Sequence, residues 1–340
     1  MSYLYKNLFI ITLMTGTLIS ISSESWLGVW IGLEMNLLSI IPLMNNSKDL
    51  KSTEASLKYF IVQAMASMIL LMGFLINTIK INLPNNLLLE NLPSSIITTS
   101  LMIKTGAAPF HFWFPEVMEG LNWMNALIML TWQKIAPMTI IMYTHSNEIL
   151  ITTVIMFSVI TGGLMGINQT SLRKIMSYSS INHIGWMMAA LLFTETLWKW
   201  YFLIYSAMNM AIIWMLSKFN ISSIPQLMAM SKNNPKMKTF FMFNFFSLGG
   251  LPPFIGFLPK WLTIQVMVLN EMYLTGAMMI IITLITLYFY MRITMPLITL
   301  SSSSSSLNLS NQQFKSKNMM SLNSILLTGL LFSTMAFNWI

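Results

Sequence analysis

An apolar run in the first half of the chain is interrupted by one lysine, one glycine and two prolines. Residues 104–115 read Lys-Thr-Gly-Ala-Ala-Pro-Phe-His-Phe-Trp-Phe-Pro, and residues 95–103 before them carry no charge. Proline removes a backbone hydrogen-bond donor, and glycine often follows the end of a helix. The stretch therefore predicts a helix that breaks beside a lysine in apolar surroundings, where a charge is costly.

The composition places this stretch in a membrane protein. Of the 340 residues, 55% are hydrophobic and only 8% are charged, and the mean hydropathy is +0.68. Soluble domains are about 25% charged because their surfaces face water. Most of the outer surface of this chain must therefore face lipid, which excludes a soluble domain and a disordered chain.

Cofactor and nucleic-acid binding are not expected. The chain has no cysteine, which excludes disulfides, iron–sulfur clusters and thiolate zinc sites. Its three histidines are too few for a bis-histidine haem and a further task. The net charge of +8 comes from basic residues in separate loops rather than from one basic patch. The expected partners are phospholipids and other membrane proteins.

Apolar runs of membrane-spanning length recur along the chain. A helical span needs roughly 20 apolar residues, and the first run lacks the flanking signals of a cleaved leader. The ninth run contains Leu-Gly-Gly-Leu-Pro-Pro at 248–253 and is interpreted as one broken helix that crosses once. The predicted fold is an all-α polytopic membrane protein with eleven transmembrane helices at 4–22, 26–44, 56–79, 95–110, 121–143, 150–167, 174–193, 197–217, 239–269, 272–296 and 319–339.

The loop charges predict the orientation. With alternating crossings, 13 of the 18 basic residues fall on the side of the N-terminus and two on the opposite side. The positive-inside rule then places the N-terminus on the negative side of the membrane. Because eleven is an odd number of crossings, the C-terminus is expected on the positive side.

Four ionisable residues remain inside the predicted spans: Glu34, Lys104, Lys134 and Lys260. A charge at the centre of a bilayer costs about 2.5–3.5 kcal/mol on insertion scales, so such residues indicate a function. Two structural alternatives stay open for the lysines, namely snorkelling from a helix end and a permanent ion pair. Snorkelling fits Lys134 poorly because it lies well inside its span.

Proton storage is the chemistry that suits these four residues. Desolvation disfavours a charged ammonium, whereas a carboxylate nearby favours it. At 4 Å and an effective dielectric constant of 20, one opposite charge is worth about 4 kcal/mol. A change in the distance between Glu34 and a lysine would therefore switch that lysine between holding and releasing its proton. One acid with three lysines fits a switch better than a neutralised pair.

The two proline-bearing segments resemble each other. Residues 106–115 and 250–259 share Gly, Pro, Phe and Pro at the same offsets, 144 residues apart. Corresponding Gly/Pro interruptions are typical of transporters with inverted repeats and a site at the broken helices. We therefore predict a single membrane domain over 1–340, with a first repeat at about 1–143, a second at about 150–296 and a C-terminal helix at about 319–339.

Two histidines are candidate proton relays because histidine titrates near neutrality. His183 lies in a polar stripe with Ser177, Ser179, Ser180 and Asn182. An interhelical hydrogen bond that stabilises the bundle is an equally good interpretation of His183. His111 follows the first break, and either role fits it.

Three segments together resemble one protein family. They are Lys104 to Pro115, followed by Glu119-Gly, Ala126 and Lys134; then Ser179-Ser-Ile-Asn-His183-Ile-Gly185; and then Leu248 to Lys260. In this order they are similar to the signatures of the antiporter-like proton-pumping subunits of respiratory complex I, and they extend over most of the chain.

The resemblance implies a core subunit in the membrane arm of complex I, in the mitochondrial inner membrane. The N-terminus would face the matrix and the C-terminus the intermembrane space. The subunit would couple NADH-to-ubiquinone electron transfer to proton pumping. NADH, FMN, iron–sulfur clusters and ubiquinone would bind to other subunits, and the partners would be other membrane-arm subunits.

The resemblance also implies roles for single residues. Glu34 and Lys104 would form the pair of the input half-channel, Lys134 would be the central proton-holding lysine, and Lys260 would be the terminal one toward the exit. His183 and His111 are candidate relays. Two other functions stay open on the residues themselves: a cation/proton antiporter driven by ion gradients, and a scaffold that joins neighbouring membrane subunits.

Overall fold

The described part of the chain is built from α-helices. A computed structural model describes residues 2–45, 49–82, 92–144, 147–232 and 235–299, and within these ranges the only β-pairing is an isolated bridge between Ser171 and Ser223. The helices are α1 Ser2–Ser22, α2 Trp26–Met44, α3 Leu50–Asn82, α4 Leu92–Thr105, α5 Trp113–Gly120, α6 Trp123–Leu130, α7 Trp132–Tyr143, α8 Glu148–Met165, α9 Leu172–Phe193, α10 Glu195–Lys218, α11 Ile224–Lys232, α12 Pro235–Gly249, α13 Phe257–Leu269 and α14 Tyr273–Thr299.

The apolar helices are long enough to cross a membrane. Six segments of the described residues qualify by length and composition: Trp26–Met44, Leu50–Ile79, Trp123–Tyr143, Glu148–Met165, Glu195–Lys218 and Tyr273–Leu297. Helices overlap ten of the eleven predicted spans, and the predicted helix at 319–339 lies outside the described residues. The all-helical membrane fold is confirmed, and the number of eleven crossings stays a prediction.

The helices break at three places around the candidate residues. The two predicted breaks are present, since α4 ends before the 106–112 turn and α12 ends before the 250–256 turn. A third break at Thr131 was not predicted. Its backbone angles of φ −116° and ψ −74° depart from the roughly −63° and −42° typical of an α-helix, and its hydroxyl donates to the carbonyl of Leu127 at 2.7 Å. Such bonds to the preceding turn bend helices.

The described residues divide into two compact units at the Ser158–Val159 bond. In the first unit, α1 and α2 touch through their backbones at two glycines. A Cβ atom on Gly32 would lie 2.5 Å from the backbone nitrogen of Ser20, and one on Gly16 would lie 3.0 Å from that of Asn36. Glycine permits this approach because it has no side chain.

Helix α9 forms the centre of the second unit. Nearly all of its residues from Leu172 to Ala190 are buried, including the whole predicted polar stripe. Helices α10 and α13 pack against it. A polar face that is buried in protein rather than in lipid finds partners on neighbouring helices. The predicted division of the chain into repeats stays a prediction.

Candidate functional site

The first break ends α4 in a regular helix-terminating motif. Gly106 has a positive φ of +75°, its N–H donates to the carbonyl of Ile103, and the N–H of Ala107 donates to that of Met102. This is the Schellman arrangement, in which glycine adopts the left-handed conformation just after the helix. Lys104 is therefore held in the last turn of α4, where it is only 7% exposed.

Glu34 and Lys104 lie in the same unit and act on each other electrostatically. Glu34 is half-buried on α2, and the described residues show no direct ion pair between the two side chains. Their interaction is therefore one through space, and its predicted role as an adjustable switch stays a prediction. A small shift of the carboxylate changes its energy strongly in a low-dielectric surrounding.

A small polar cavity adjoins Lys104. It offers about 10 Å³ to the centre of a water molecule, close to the minimum for one ordered water. The Tyr59 hydroxyl donates to Gln133 Oε1 at 3.3 Å, and Gln133 Nε2 donates to Asn36 Oδ1 at 2.8 Å. The lining residues are Leu33, Asn36, Leu37, Tyr59, Gln63, Lys104, Gln133 and Pro137.

Lys134 lies in the first turn of α7, directly after the break at Thr131. Its side chain is 1% exposed, and its Nζ lies 5.7 Å from the centre of the Phe114 ring. The face of an aromatic ring attracts a cation. Lys134 does not snorkel to a surface of the first unit, in agreement with the prediction that it is buried.

His111 lies in the turn between α4 and α5. It is 4% exposed and stacks on Phe112 with 4.4 Å between ring centres. Its Nδ1 has no hydrogen-bond partner among the described residues. A buried ring nitrogen without a partner is compatible with a relay through water, and the role of His111 stays a prediction.

The second break repeats the backbone geometry of the first. Gly250 has a φ of +79°, and its N–H donates to the carbonyl of Ser247 while that of Leu251 donates to Phe246. Lys260, from the following helix α13, reaches back and donates through Nζ to the carbonyl of Gly249 at 3.0 Å. It is 5% exposed.

Lys260 also adjoins the helix that carries His183. Its Nζ lies 5.8 Å from the centre of the Trp186 ring on α9, one turn beyond His183. His183 is 2% exposed, and its Nδ1 lies 2.9 Å from the Tyr201 hydroxyl on α10. This is the interhelical hydrogen bond that the structural alternative predicts, and it leaves the relay role possible.

The structure thus groups the six candidate residues by unit. Glu34, Lys104, Lys134 and His111 belong to the first, and Lys260 and His183 to the second. Over the described ranges, no three or more His, Cys, Asp or Glu side chains gather where they would hold a metal ion. The common feature is a buried lysine beside a helix break, a setting suited to holding and releasing protons.

Comparison with known proteins assigns the family. Residues 23–286 match the model of the NADH:quinone oxidoreductase/Mrp antiporter transmembrane family. The chain is 50% identical over 297 residues to NADH-ubiquinone oxidoreductase chain 2 of Anopheles gambiae, covering 86% of both chains. It is 47% identical over 342 residues to the protein of the same name from Aedes aegypti, covering 99% of both. This chain belongs to the NADH-ubiquinone oxidoreductase chain 2 family.

The fold of this chain is similar to that of chains in solved structures of larger membrane complexes. A chain of respiratory complex I from Thermus thermophilus with bound Aureothin superposes with a TM-score of 0.85 at 23% identity, covering 97% of this chain and 78% of that chain. A chain of the Mrp complex from Dietzia gives 0.75 at 14% identity, covering 96% and 75%. These similarities establish the antiporter-like fold, and with the apolar helices they indicate a multi-pass membrane protein.

The sequence did not single out the neutral polar residues around the lysines. Tyr59, Gln63, Gln133 and Tyr201 are buried or half-buried in helices that read as ordinary apolar spans. Single glutamines in apolar spans could have indicated a buried polar contact, because a buried amide needs hydrogen-bond partners. Their partners lie far along the chain and became visible only in the folded structure.

Proposed function

We propose that this chain is a proton-translocating membrane subunit of respiratory complex I, and that its buried lysines hold the protons. The observation that carries the proposal is the burial of Lys104, Lys134 and Lys260. Lys104 and Lys134 each lie within four residues of a helix break. Lys260 reaches back to the carbonyl of Gly249 at the second break. A buried lysine without function would be selected against by its desolvation cost.

The Glu34–Lys104 pair supplies the adjustable element. Because no direct ion pair holds the two groups together in the described residues, the carboxylate acts on Lys104 through space. Bringing Glu34 closer stabilises the ammonium, and withdrawing it favours release of the proton. Lys134 would accept a proton within the first unit, and Lys260 would hold one in the second. The order of transfer among the three stays a prediction.

The electron-transfer chemistry of the complex would lie in other subunits. The sequence has no cysteine for an iron–sulfur cluster, so in this proposal the chain takes part in NADH:ubiquinone reduction without a redox centre. It would lie in the mitochondrial inner membrane, with the N-terminus in the matrix and the C-terminus in the intermembrane space. Protease protection of terminal tags in intact mitoplasts tests this orientation.

Substitution of Lys134 by methionine tests the function. Lys134→Met keeps the length and packing of the side chain but cannot bind a proton. Loss of a positioned proton carrier is expected to lower NADH-driven proton translocation on the order of 100-fold. The measurement is the rate of NADH-driven proton translocation by the assembled complex in sealed vesicles.

Lys58→Met is the matched control for this experiment. Lys58 lies in the same unit, is 43% exposed and pairs with Glu54 and Glu116, so its loss should leave pumping unchanged. Normal coupled pumping by an assembled Lys134→Met enzyme would refute the role of Lys134 and with it the proposal.

A cation/proton antiporter is the second candidate function, and the fold shared with the Mrp complex chain favours it. The isolated chain, reconstituted in liposomes, would then exchange Na⁺ for H⁺ without any redox substrate. If the isolated chain shows no exchange while the complex pumps protons with NADH, the function is that of a complex I subunit rather than that of an independent antiporter.

A further inference from the structure

The two ends of the second unit differ in charge. Residues 159–340 contain only two acidic residues, Glu195 and Glu271, which lie at the start of α10 and directly before α14. Four described basic residues lie at the opposite ends of these helices and at the start of α9, and we call them the basic end: Arg173, Lys174, Lys218 and Arg292. The unit itself therefore supplies no acid to balance its basic end.

Main-chain contacts hold the basic end together. Ser171, directly before α9, forms a β-bridge with Ser223, in the loop that follows α10. Hydrogen bonds of 2.9 and 3.2 Å on either side of the bridge join the two loops. The guanidinium of Arg292 on α14 donates through Nη1 to the carbonyl of Ile167, in the loop before α9. Three helices thus present their basic residues around one fixed loop.

The first turn of α9 is unfavourable for its own side chains. Arg173 and Lys174 lie at the positive end of the helix dipole, where anions are favoured. The turn holds no acidic residue, and the side chain of the N-cap residue Ser171 makes no capping hydrogen bond. The positive-inside rule explains basic loops, but it does not explain basic residues inside this turn. An anion beside it would interact favourably with the side chains and with the dipole.

One face of α10 connects the basic end to the apolar outer surface. Between positions 200 and 218 the exposed residues of α10 follow helical spacing and share this face: Trp200, Leu203, Met210, Trp214 and Lys218. The ring centre of Trp214 lies 6.0 Å from Nζ of Lys218. Tryptophan is enriched at membrane–water interfaces, so Lys218 lies at the depth of lipid headgroups and the residues before it lie along the acyl chains.

The chemistry of this surface favours a lipid with a net negative charge. A guanidinium has five N–H donors, so Arg292 keeps donors for a phosphate besides its bond to Ile167. A zwitterionic headgroup carries its own cation, which four basic residues repel. An anionic headgroup lacks that repulsion, and each Lys or Arg near an anionic surface increases binding about fivefold.

We propose that the basic end binds the headgroup of an anionic phospholipid, with Lys218 and Arg292 as phosphate-binding residues and the exposed face of α10 as the support for the acyl chains. The site involves none of the buried lysines, so the inference goes beyond the proposed function and does not depend on it.

Photo-crosslinking of lipids to the assembled complex tests the site. The complex is placed in phosphatidylcholine nanodiscs that contain a small fraction of phosphatidylglycerol with a photoreactive acyl chain, or of phosphatidylcholine with the same chain. Mass spectrometry then measures the labelling of residues 200–218 per assembled complex. The anionic probe is expected to label this segment at least fivefold more than the neutral probe, and equal labelling overturns the proposal.

Two substitutions at opposite ends of α10 provide the matched comparison. Lys218→Gln keeps the length of the side chain and removes its charge, so labelling by the anionic probe should fall about fivefold. Lys199→Gln makes the same change at the other end, where Lys199 pairs with Glu195 at 3.3 Å, and labelling of the same segment should stay at the wild-type level. Equal labelling of the two variants overturns the proposal.

Arg292 provides a second, independent pair of variants. Arg292→Gln should lower labelling by the anionic probe, whereas Arg292→Lys keeps the charge and should retain most of it. Equal labelling of these two variants would show that charge is not what binds the lipid, and would overturn the proposal.

A protein partner is the competing occupant of the basic end. A carbodiimide cross-link between Lys218 and a carboxylate of another subunit, without lipid labelling, would assign the surface to an acidic protein and overturn the lipid site. None of these outcomes decides the proposed function, which Lys134→Met tests separately.

Discussion

The two helix breaks that begin at a glycine, Gly106 and Gly250, have the same backbone conformation and different capping groups. At each break a glycine with positive φ ends the helix through the same pair of hydrogen bonds. At the first, the carbonyl of Lys104 accepts from the neutral amide of Gln63 at 3.4 Å. At the second, the carbonyl of Gly249 accepts from the amine of Lys260 at 3.0 Å.

This difference separates two ways to keep a lysine inside a membrane. The Lys104 amine is left for the cavity and for Glu34, because a neutral side chain satisfies its backbone carbonyl. The Lys260 amine is engaged by a carbonyl at the C-terminal end of α12, where the helix dipole favours a cation. The Lys104 amine therefore faces polar side chains of the cavity, whereas the Lys260 amine is bound to a backbone carbonyl.

The largest effect is expected for Lys260, and two substitutions separate its tasks. Lys260→Met removes the proton carrier and leaves the Gly249 carbonyl without its donor. Lys260→Gln also removes the proton carrier but gives the second break a neutral amide like that of Gln63. Both should lose proton translocation on the order of 100-fold.

Stability distinguishes the two Lys260 variants. Lys260→Gln should unfold at a higher temperature than Lys260→Met, because a hydrogen bond to a buried carbonyl is worth about 1 kcal/mol. Thermal unfolding of the assembled complex measures this difference. Equal stability of the two variants would show that the carbonyl of Gly249 does not need a capping group, and the comparison between the breaks would fail.

An intermediate effect is expected for the two glycines. Alanine at either Gly106 or Gly250 is forced into the left-handed conformation, which costs roughly 1–2 kcal/mol. A Cβ on Gly250 would also lie 2.9 Å from Cδ of Lys260, whereas one on Gly106 would lie 3.3 Å from Cβ of Phe114. Gly250→Ala should therefore lower proton pumping as well as stability.

Gly106→Ala serves as the control for Gly250→Ala. It should reduce thermal stability to a similar extent, with a smaller loss of pumping per assembled complex. If both variants lose pumping equally, displacement of Lys260 is not the cause. Pumping normalised to the amount of assembled complex is the measurement that separates the two outcomes.

The smallest effect is expected for Gln63→Leu. The variant removes the long, neutral hydrogen bond to the Lys104 carbonyl, so the loss of stability should be about 0.5–1.5 kcal/mol. Thermal unfolding of the complex checks it. A loss larger than the difference between Lys260→Gln and Lys260→Met would mean that the first break depends on Gln63 more than its 3.4 Å contact indicates.

The sequence predicted the features that depend on local pattern. Apolar runs located ten helical regions, and Gly and Pro located two breaks. Subtracting the loop charges left four ionisable residues, of which the three lysines are buried and Glu34 is half-buried. These predictions succeed because hydropathy and backbone chemistry act over a few neighbouring residues. The assignment of roles to the four residues stays a prediction.

Other features depend on contacts that a linear pattern does not contain. The break at Thr131 has no glycine or proline at the break itself, and Thr131 bonds to its preceding turn, as many serines and threonines in the unbroken helices also do. Tyr59 and Asn36 meet Gln133 across 74 and 97 positions of sequence. The capping role of Lys260 depends on the fold of the turn before it, which brings its amine back by 11 positions.

The backbone contact of α1 with α2 limits how the acidic switch operates. Gly32 lies two residues before Glu34, and its Cα approaches the Ser20 backbone so closely that a methyl group would not fit. Sliding of α2 along α1 would separate two surfaces that are already interlocked at that point. In the proposed mechanism, the carboxylate of Glu34 would therefore change its distance to Lys104 by torsion about its own side-chain bonds, or α1 and α2 would move together as one rigid body.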